Sequence, residues 1–427
     1  ILVRFIHLSN AICGNSSIIM KVTGGEEMKK NTKAMLVSIG ILAVIAIVLV
    51  VWVQLGSSNK ATSTEKKETG QVDKKQEASA KQDIQQEEKQ KETQETGNGE
   101  VPAGQEEQVQ EPETQQDVTV VFSGDILLSS YVLNNYEKSG INGILSEELQ
   151  SEMQNADITM VNEEFPFSNR GTQAQDKQFT FRVDPGYVKI LQEMGIDVVT
   201  VANNHALDYG TDALSDTFQT LDNAGIAYVG AGDNLERASQ PYVIKAGGKT
   251  FGFLAASRVI PEVSWNIDNR QPGMLCTYDS AELCNAIQKA KETCDYVVVY
   301  VHWGIERENT PQDYQRQLGK AYIDAGADMV IGAHPHVLQG IEYYNGKPIV
   351  YSLGNYIFNQ EINSTVLLKT TITPENETTL QLIPAYASGA KTQKMQGEDG
   401  AQLYQFMEGI SYGVSISKDG VVERIGE

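Results

Sequence analysis

Residues 328–336 read DMVIGAHPH, an apolar run closed by two histidines that flank a proline. A short apolar run bounded by punctuating residues is the pattern of a buried strand. Four other stretches repeat this arrangement. VTVVFS (118–123) leads into Gly124-Asp125, and ITMV (158–161) leads into Asn162-Glu163-Glu164. DVVTVA (197–202) runs into Asn203-Asn204-His205, and YVVVYV (296–301) ends at His302. Five predicted strands therefore finish in metal-competent side chains, at the carboxyl edge where open α/β sheets hold their ligands.

Between these runs, residues 141–154, 186–195, 211–224, 280–293 and 311–326 have helical length and apolar spacing. The alternation predicts an α/β fold from residue 118 onward. Strands expected near 337–343, 348–352, 365–373 and 379–386 follow without intervening helices, so a mixed sheet or two packed sheets is expected rather than one parallel sheet. A last hairpin is expected near 412–425, turning at Lys418-Asp419-Gly420. The folded domain is assigned to 118–370, with 371–427 as a C-terminal extension packed on it.

The first part of the chain has a different texture. Residues 1–27 show no organisation and read as a non-native leader, with Met28 as the natural start. Residues 28–34 form a short cytoplasmic stub, and 35–55 hold an uncharged apolar stretch close to the ~20 residues that span a bilayer. Lys29, Lys30 and Lys33 precede it, so the positive-inside tendency keeps the N-terminus cytoplasmic and sends the large domain outside as a single-pass, cell-membrane protein. Residues 56–117 are polar and acidic. From residue 57 they contain 15 Asp/Glu against 8 Lys and no aromatic side chain, too little apolar area to offset chain entropy, so a disordered acidic linker is expected.

The formal net charge of −22 argues against general binding of nucleic acid, which needs clustered Lys and Arg. Of four cysteines, Cys13 lies in the leader. Cys276, Cys284 and Cys294 are left, enough for one disulfide at most and without zinc-ligand spacing.

Histidine usage points to the chemistry. The chain has five, and His205, His302, His334 and His336 all follow predicted strands, with only His7 elsewhere. The two-residue spacing of His334 and His336 places both imidazoles on one side of an extended segment. Imidazole suits manganese, zinc or iron-type ions, and Asp125 and Glu164 add hard oxygen ligands, so one or two divalent ions are expected.

Six ordered motifs then carry a family resemblance. They are Gly-Asp-Ile at 124–126, Val-Asn-Glu-Glu-Phe-Pro at 161–166, Ala-Asn-Asn-His-Ala-Leu-Asp-Tyr-Gly at 202–210, His-Trp-Gly at 302–304, Gly-Ala-His-Pro-His at 332–336 and Ser-Leu-Gly-Asn-Tyr at 352–356. Together they resemble the CapA-type poly-γ-glutamate capsule synthesis family, over about residues 118–360. That family in turn resembles the calcineurin-like metallophosphoesterases, which implies a sheet sandwich flanked by helices.

The resemblance implies metal ligation by Asp125, Glu164, Asn204, His302, His334 and His336, with His205 as general acid. Three positions depart from the phosphoesterase pattern. Leu127 stands where a ligating histidine is expected, Glu164 replaces the bridging aspartate, and Asn203 replaces a glycine, a change that a left-handed backbone would tolerate. The first removes a ligand from one metal position.

Other side chains carry two readings each. Asp208 either orients His205 or caps the helix that begins near Thr211. Arg182, Arg258 and Arg307 either bind a polyanionic substrate through carboxylate forks or are ordinary surface residues. Trp303 and Tyr356 either wall a substrate or pack in the core. Glu163 should face away from Glu164.

The resemblance implies an extracellular, membrane-anchored component of poly-γ-glutamate or related capsule production, acting as a metal-dependent hydrolase or transferase. Its partners would be the anionic capsule polymer and the membrane-bound polymer synthase subunits. The alternatives are a non-catalytic accessory subunit that binds the nascent polymer or organises the synthase and exporter, and a secreted metal-dependent phosphoesterase.

Overall fold

The computed structural model describes residues 115–267 and 270–426; the expected leader, stub, membrane anchor and nearly all of the linker lie outside them. Among the described residues no helix is long and apolar enough to cross a membrane.

Two mixed sheets form the frame. In the ten-stranded sheet, strands Val118–Ile126, Ile158–Glu163, Val198–Thr200 and Ala227–Val229 lie side by side and parallel. On the opposite flank, Ile362–Ile372 pairs antiparallel with Val118–Ile126, and Thr378–Ser388 pairs with Ile362–Ile372. The hairpin Val414–Ile416 with Val421–Arg424 closes that edge, so residues after 371 build strands into this same sheet.

The six-stranded sheet has the order Leu338–Tyr344, Lys347–Leu353, Met329–Ala333, Tyr296–His302, Lys249–Ser257 and Tyr242–Ala246. Its four central strands are parallel and its two edges antiparallel. A mixed two-sheet α/β fold is thus what the strand pattern anticipates.

Strand periodicity sorts the second sheet into two cores. Along Tyr296–His302, Tyr296, Val298 and Tyr300 join a cluster with Val120 and Phe122 of the other sheet. Val297, Val299 and Val301 pack instead with Leu283 and Ile287 of helix Ala281–Lys291 and Tyr322 of helix Asp313–Asp324. Successive side chains point to opposite faces, so an unbroken apolar run is needed where both faces are covered. Across the inner interface the Tyr300 hydroxyl donates to the Ser123 carbonyl oxygen at 2.7 Å, which satisfies a fully buried polar group.

Helix Thr211–Ala224 lies between Gly210 and Gly225, and Ala213, Leu214, Thr217, Phe218 and Leu221 form its buried stripe. Two segments differ from expectation. Residues 141–154 do not form one helix: helices Ser130–Ser139 and Glu147–Gln154 flank a 3-10 turn over Gly140–Gly143. Helix Gly397–Ile410 is unanticipated, because its three glycines weaken any helical signal.

Gly332 fixes how closely the strands approach behind the site. A Cβ there would lie 2.1 Å from the Tyr351 carbonyl oxygen and 2.3 Å from Trp303 Nε1, the pair joined by a 3.0 Å hydrogen bond. Gly332→Ala should therefore lower stability by about 1–3 kcal/mol through overpacking. An unchanged denaturation midpoint would contradict the close approach.

On the outer edge, Glu342 accepts from Arg316 at 2.9 and 3.0 Å, from the Tyr351 hydroxyl at 2.8 Å and from Lys320 at 2.9 Å. Burial alone would raise its carboxyl, but these donors prevail and bring it to about 2. The unfolded value is ~4.3, so the stabilisation is complete above that pH and fades as pH falls toward about 2. The Tm gap between the native chain and Glu342→Gln should accordingly be present near about pH 7 and shrink near about pH 3; a gap independent of pH would rule out this account.

Candidate metal centre

The parallel strands of both sheets deliver the candidate residues to one place. Asp125 lies one residue before the end of the first strand, in register with Asn162, whose amide donates to Asp125 Oδ1 at 2.8 Å. Gly124 permits this because its backbone passes against Gly354, where a Cβ would fall 1.8 Å from the carbonyl oxygen. His302 is the last residue of its strand, in register with Ala333 and Ser257. His334 and His336 follow the neighbouring strand.

Those two histidines do not lie on an extended segment. Their φ angles are +96° and +58°, so the chain bends through left-handed conformations. Positive φ at a non-glycine residue is costly and persists where surroundings enforce it. Both rings still reach the same site, with centroids 5.7 Å apart. Conversely, Asn203 is not among the left-handed residues. Its amide donates to Asn162 Oδ1 at 3.1 Å and to the Glu163 carbonyl at 2.7 Å, while its own oxygen accepts the His205 N–H at 3.0 Å.

Glu164 lies at the centre. Its Oε1 is 3.7 Å from His302 Nε2, 3.8 Å from His336 Nε2 and 4.0 Å from His205 Nε2. His302 Nε2 is 2.7 Å from Asn204 Oδ1, and His336 Nδ1 is 3.2 Å from Asp125 Oδ2 and 2.8 Å from Asn355 Oδ1. Glu164, His334 and His336 offer ligand atoms all within 4.8 Å of one another.

The residues fit a divalent cation. Both Glu164 oxygens and His334 Nδ1 are buried with no hydrogen-bond partner, an arrangement costly without a compensating group. Burial and the nearby Asp125 hold Glu164 well above the usual carboxylate range. Burial and the neighbouring histidines push His302 far down and His334 to about 3, which keeps imidazole lone pairs available. Burial opposes charge on His336, yet Glu164 and Asp125 raise it to about 10. Two carboxylates here demand positive charge, whether from a proton or a metal. Glu163 is also buried and unpartnered, and burial alone pushes it up, which favours a neutral acid outside the ligand group.

Asp208 is bonded to His205 rather than capping a helix. Its Oδ2 lies 2.6 Å from His205 Nδ1 and accepts the Phe181 N–H at 2.7 Å, while Gly210 occupies the cap position. Burial lowers His205 despite Asp208. The sequence pattern gives no hint of Lys177, which donates to Asp208 Oδ1 and to the Asn204 carbonyl, or of Phe181, whose ring centroid lies 4.3 Å from that of His205 with the rings tilted by 35°.

A cleft of about 970 Å³ opens over His205 and His336, with Leu127, Phe181, Arg182 and Arg307 in its lining. Leu127, where a histidine ligand is expected, turns an apolar side chain into this space. Arg258 does not line it; its guanidinium sits 4.1 Å from the Tyr278 ring centroid and bonds the Thr277 carbonyl. Trp303 and Tyr356 are wholly buried core residues and form no substrate wall. Cys276, Cys284 and Cys294 are free thiols.

Fold and site together define an α/β protein with a buried His/Glu group able to hold a metal ion. The profile of the bacterial capsule synthesis protein PGA_cap matches residues 119–360, and the chain belongs to that family. It is 37% identical over 241 residues to PGA biosynthesis protein CapA of Bacillus subtilis, covering 56% of this chain and 63% of that one. It is 34% identical over 254 residues to capsule biosynthesis protein CapA of Bacillus anthracis, covering 57% and 60%. A probable polyglutamine synthesis accessory protein of Mycobacterium tuberculosis is 30% identical over 276 residues, covering 60% and 72%. The match thus spans less than two thirds of either Bacillus protein. Among solved structures, the NAD nucleotidase of Haemophilus influenzae aligns with a TM-score of 0.41 at 11% identity, over 69% of this chain and 63% of that one.

Elemental analysis of the purified chain should find near-stoichiometric divalent metal, lost when His334 and His336 are both replaced by alanine. Equal metal content in both proteins would remove these histidines from the ligand set.

Proposed function

We propose that this domain acts at the cell surface in the synthesis or processing of poly-γ-glutamate or a related anionic capsule polymer, as a metal-dependent hydrolase or transferase of metallophosphoesterase-like architecture. The observation that carries the chemical part is Glu164, whose two carboxylate oxygens are buried without hydrogen-bond partners and whose Oε1 lies within 4.0 Å of three imidazole nitrogens. The polymer is suggested by the names of the Bacillus relatives. Residues 35–55 would hold the protein in the membrane and 56–117 would tether the domain outside.

Asp125, Glu164, Asn204, His302, His334 and His336 would hold the metal. When bound, a divalent ion supplies Lewis-acid polarisation and lowers the pKa of bound water. The chain's own residues account for the remaining steps. Asp208 holds the His205 proton on Nδ1 and aims Nε2 toward Glu164, where that nitrogen can carry a proton to or from the reacting group. Arg182 and Arg307 on the cleft wall would bind carboxylates of the polymer, and Phe181 shields His205 from water.

The second reading is an accessory subunit that grips the nascent polymer or organises the synthase without turnover. Leu127 favours it, since an apolar side chain occupies a ligand position, and the Mycobacterium relative carries the name of an accessory protein.

The two readings separate by mutation. His205→Ala should retain metal yet reduce polymer processing ~10²-fold or more if the site is catalytic. Full processing by that variant would remove the catalytic role. Under the accessory reading, deleting residues 29–56 should reduce capsule more than any histidine change does.

A further inference from the structure

Segment 171–184 lies in a loop with little regular structure, yet four of its contacts converge on Asp208 and its neighbour Tyr209. Thr172 N–H donates to the Tyr209 carbonyl at 3.1 Å, and Ala174 N–H donates to the Asp208 carbonyl at 2.8 Å. Phe181 N–H and Lys177 Nζ donate to the two Asp208 side-chain oxygens. Lys177 also donates to the Asn204 carbonyl and lies 5.2 Å from the Trp265 ring centroid. Its side chain is only 13% exposed, which sets it apart from an ordinary surface lysine.

These contacts limit what His205 can do. Its Nδ1 lies 2.6 Å from Asp208 Oδ2 and 3.0 Å from Lys177 Nζ. An ammonium only donates, so Nδ1 either accepts from Lys177 or donates to Asp208. The shorter contact to a carboxylate prevails, because charge-assisted bonds are the shorter and stronger kind. Lys177 then directs its protons to Asp208 Oδ1 and the Asn204 carbonyl, which leaves Asp208 Oδ2 for the imidazole.

We propose that Lys177 is a positioning residue that ties Asp208 to the Asn204 backbone, and thereby fixes His205 with its proton on Nδ1 and its Nε2 free toward Glu164. The residue acts through Asp208 and does not touch the reacting atoms. The inference rests on the reading of His205 as the proton-transfer group, and it adds the device that sets that group's tautomer. A second consequence concerns the cleft: Thr180, Phe181 and Arg182 lie in the loop that Lys177 fastens, so that part of the cleft lining depends on the same ammonium.

Nuclear magnetic resonance of the full chain tests this directly. Selective ¹⁵N-histidine labelling shows five imidazoles, and His205→Ala identifies the pair of signals belonging to His205. At about pH 8, where a histidine of ordinary pKa is neutral, the native chain should give one protonated and one unprotonated nitrogen, with the proton on Nδ1. Lys177→Met should move the two signals toward each other as the tautomers mix, while the signals of His302 and His334 stay. Lys177→Arg, which restores a cationic donor, should recover the native pattern. An unchanged His205 pattern in Lys177→Met would overturn the proposal.

Should Lys177→Met fail to fold, ¹⁵N-lysine labelling of the native chain tests the bonds of Lys177 on which the proposal depends. Lys249 is also buried and bonded to Asn376, so the diagnostic signal is a slowly exchanging ammonium that is lost in Lys177→Arg; no signal lost in that variant would equally overturn the assignment. Neither readout needs polymer or turnover, so its failure is separable from failure of the catalytic reading.

Discussion

Two carboxylates, Asp125 and Glu164, are completely buried where the parallel strands of the two sheets end, and the site is organised around the cost of that burial. An ionised group out of water needs a counter-charge or hydrogen bonds. Asp125 receives the Asn162 amide and faces His336, whereas Glu164 has no hydrogen-bond donor at all. The asymmetry locates the unmet demand. It lies at Glu164, within reach of His302 at the end of its strand and of His205 and His336 in the turns that follow theirs.

Meeting that demand requires a frame that does not yield. Asp125 and Glu164 are carried by neighbouring parallel strands of the first sheet, and His302 and His334 by neighbouring parallel strands of the second, so within each sheet the ligand-bearing ends lie on one edge. The doubly covered second sheet and the close approach at Gly332 and Gly124 prevent those ends from separating. The positive φ at His334 and His336 is tolerated for the same reason, since the strand before them is fixed on both faces. Strain at the site is balanced by packing behind it.

A second layer of polar contacts sets the orientation of the first. Asn203 links Asn162, the Glu163 carbonyl and the His205 backbone, so one amide connects the Asp125 side of the site to the His205 turn. Asp208 makes the corresponding connection to the loop that carries Lys177, Phe181 and Arg182. Site geometry and cleft wall are therefore coupled through two small side chains, neither of which lines the cleft.

Much of this was legible in the sequence, because its signals are local. Apolar runs ending in Asp, Glu, Asn or His mark the strands and the members of the site, and the stripe between Gly210 and Gly225 marks a helix. The folded domain's histidines all lie at such strand ends. What the sequence could not supply depends on distance along the chain. Lys177 lies 31 residues before Asp208 in a segment without periodicity, so nothing local distinguishes it from a solvated lysine. Arg258 carries the same two readings in the sequence as Arg182 and Arg307, and only the fold places it against Tyr278 and Tyr314; burial and contact likewise separate the alternatives for Asp208, Trp303 and Tyr356. Residue type and spacing determined which groups could take part, while tertiary structure decided which of them meet, because hydrogen bonds and desolvation act over a few ångströms of space and not along the chain.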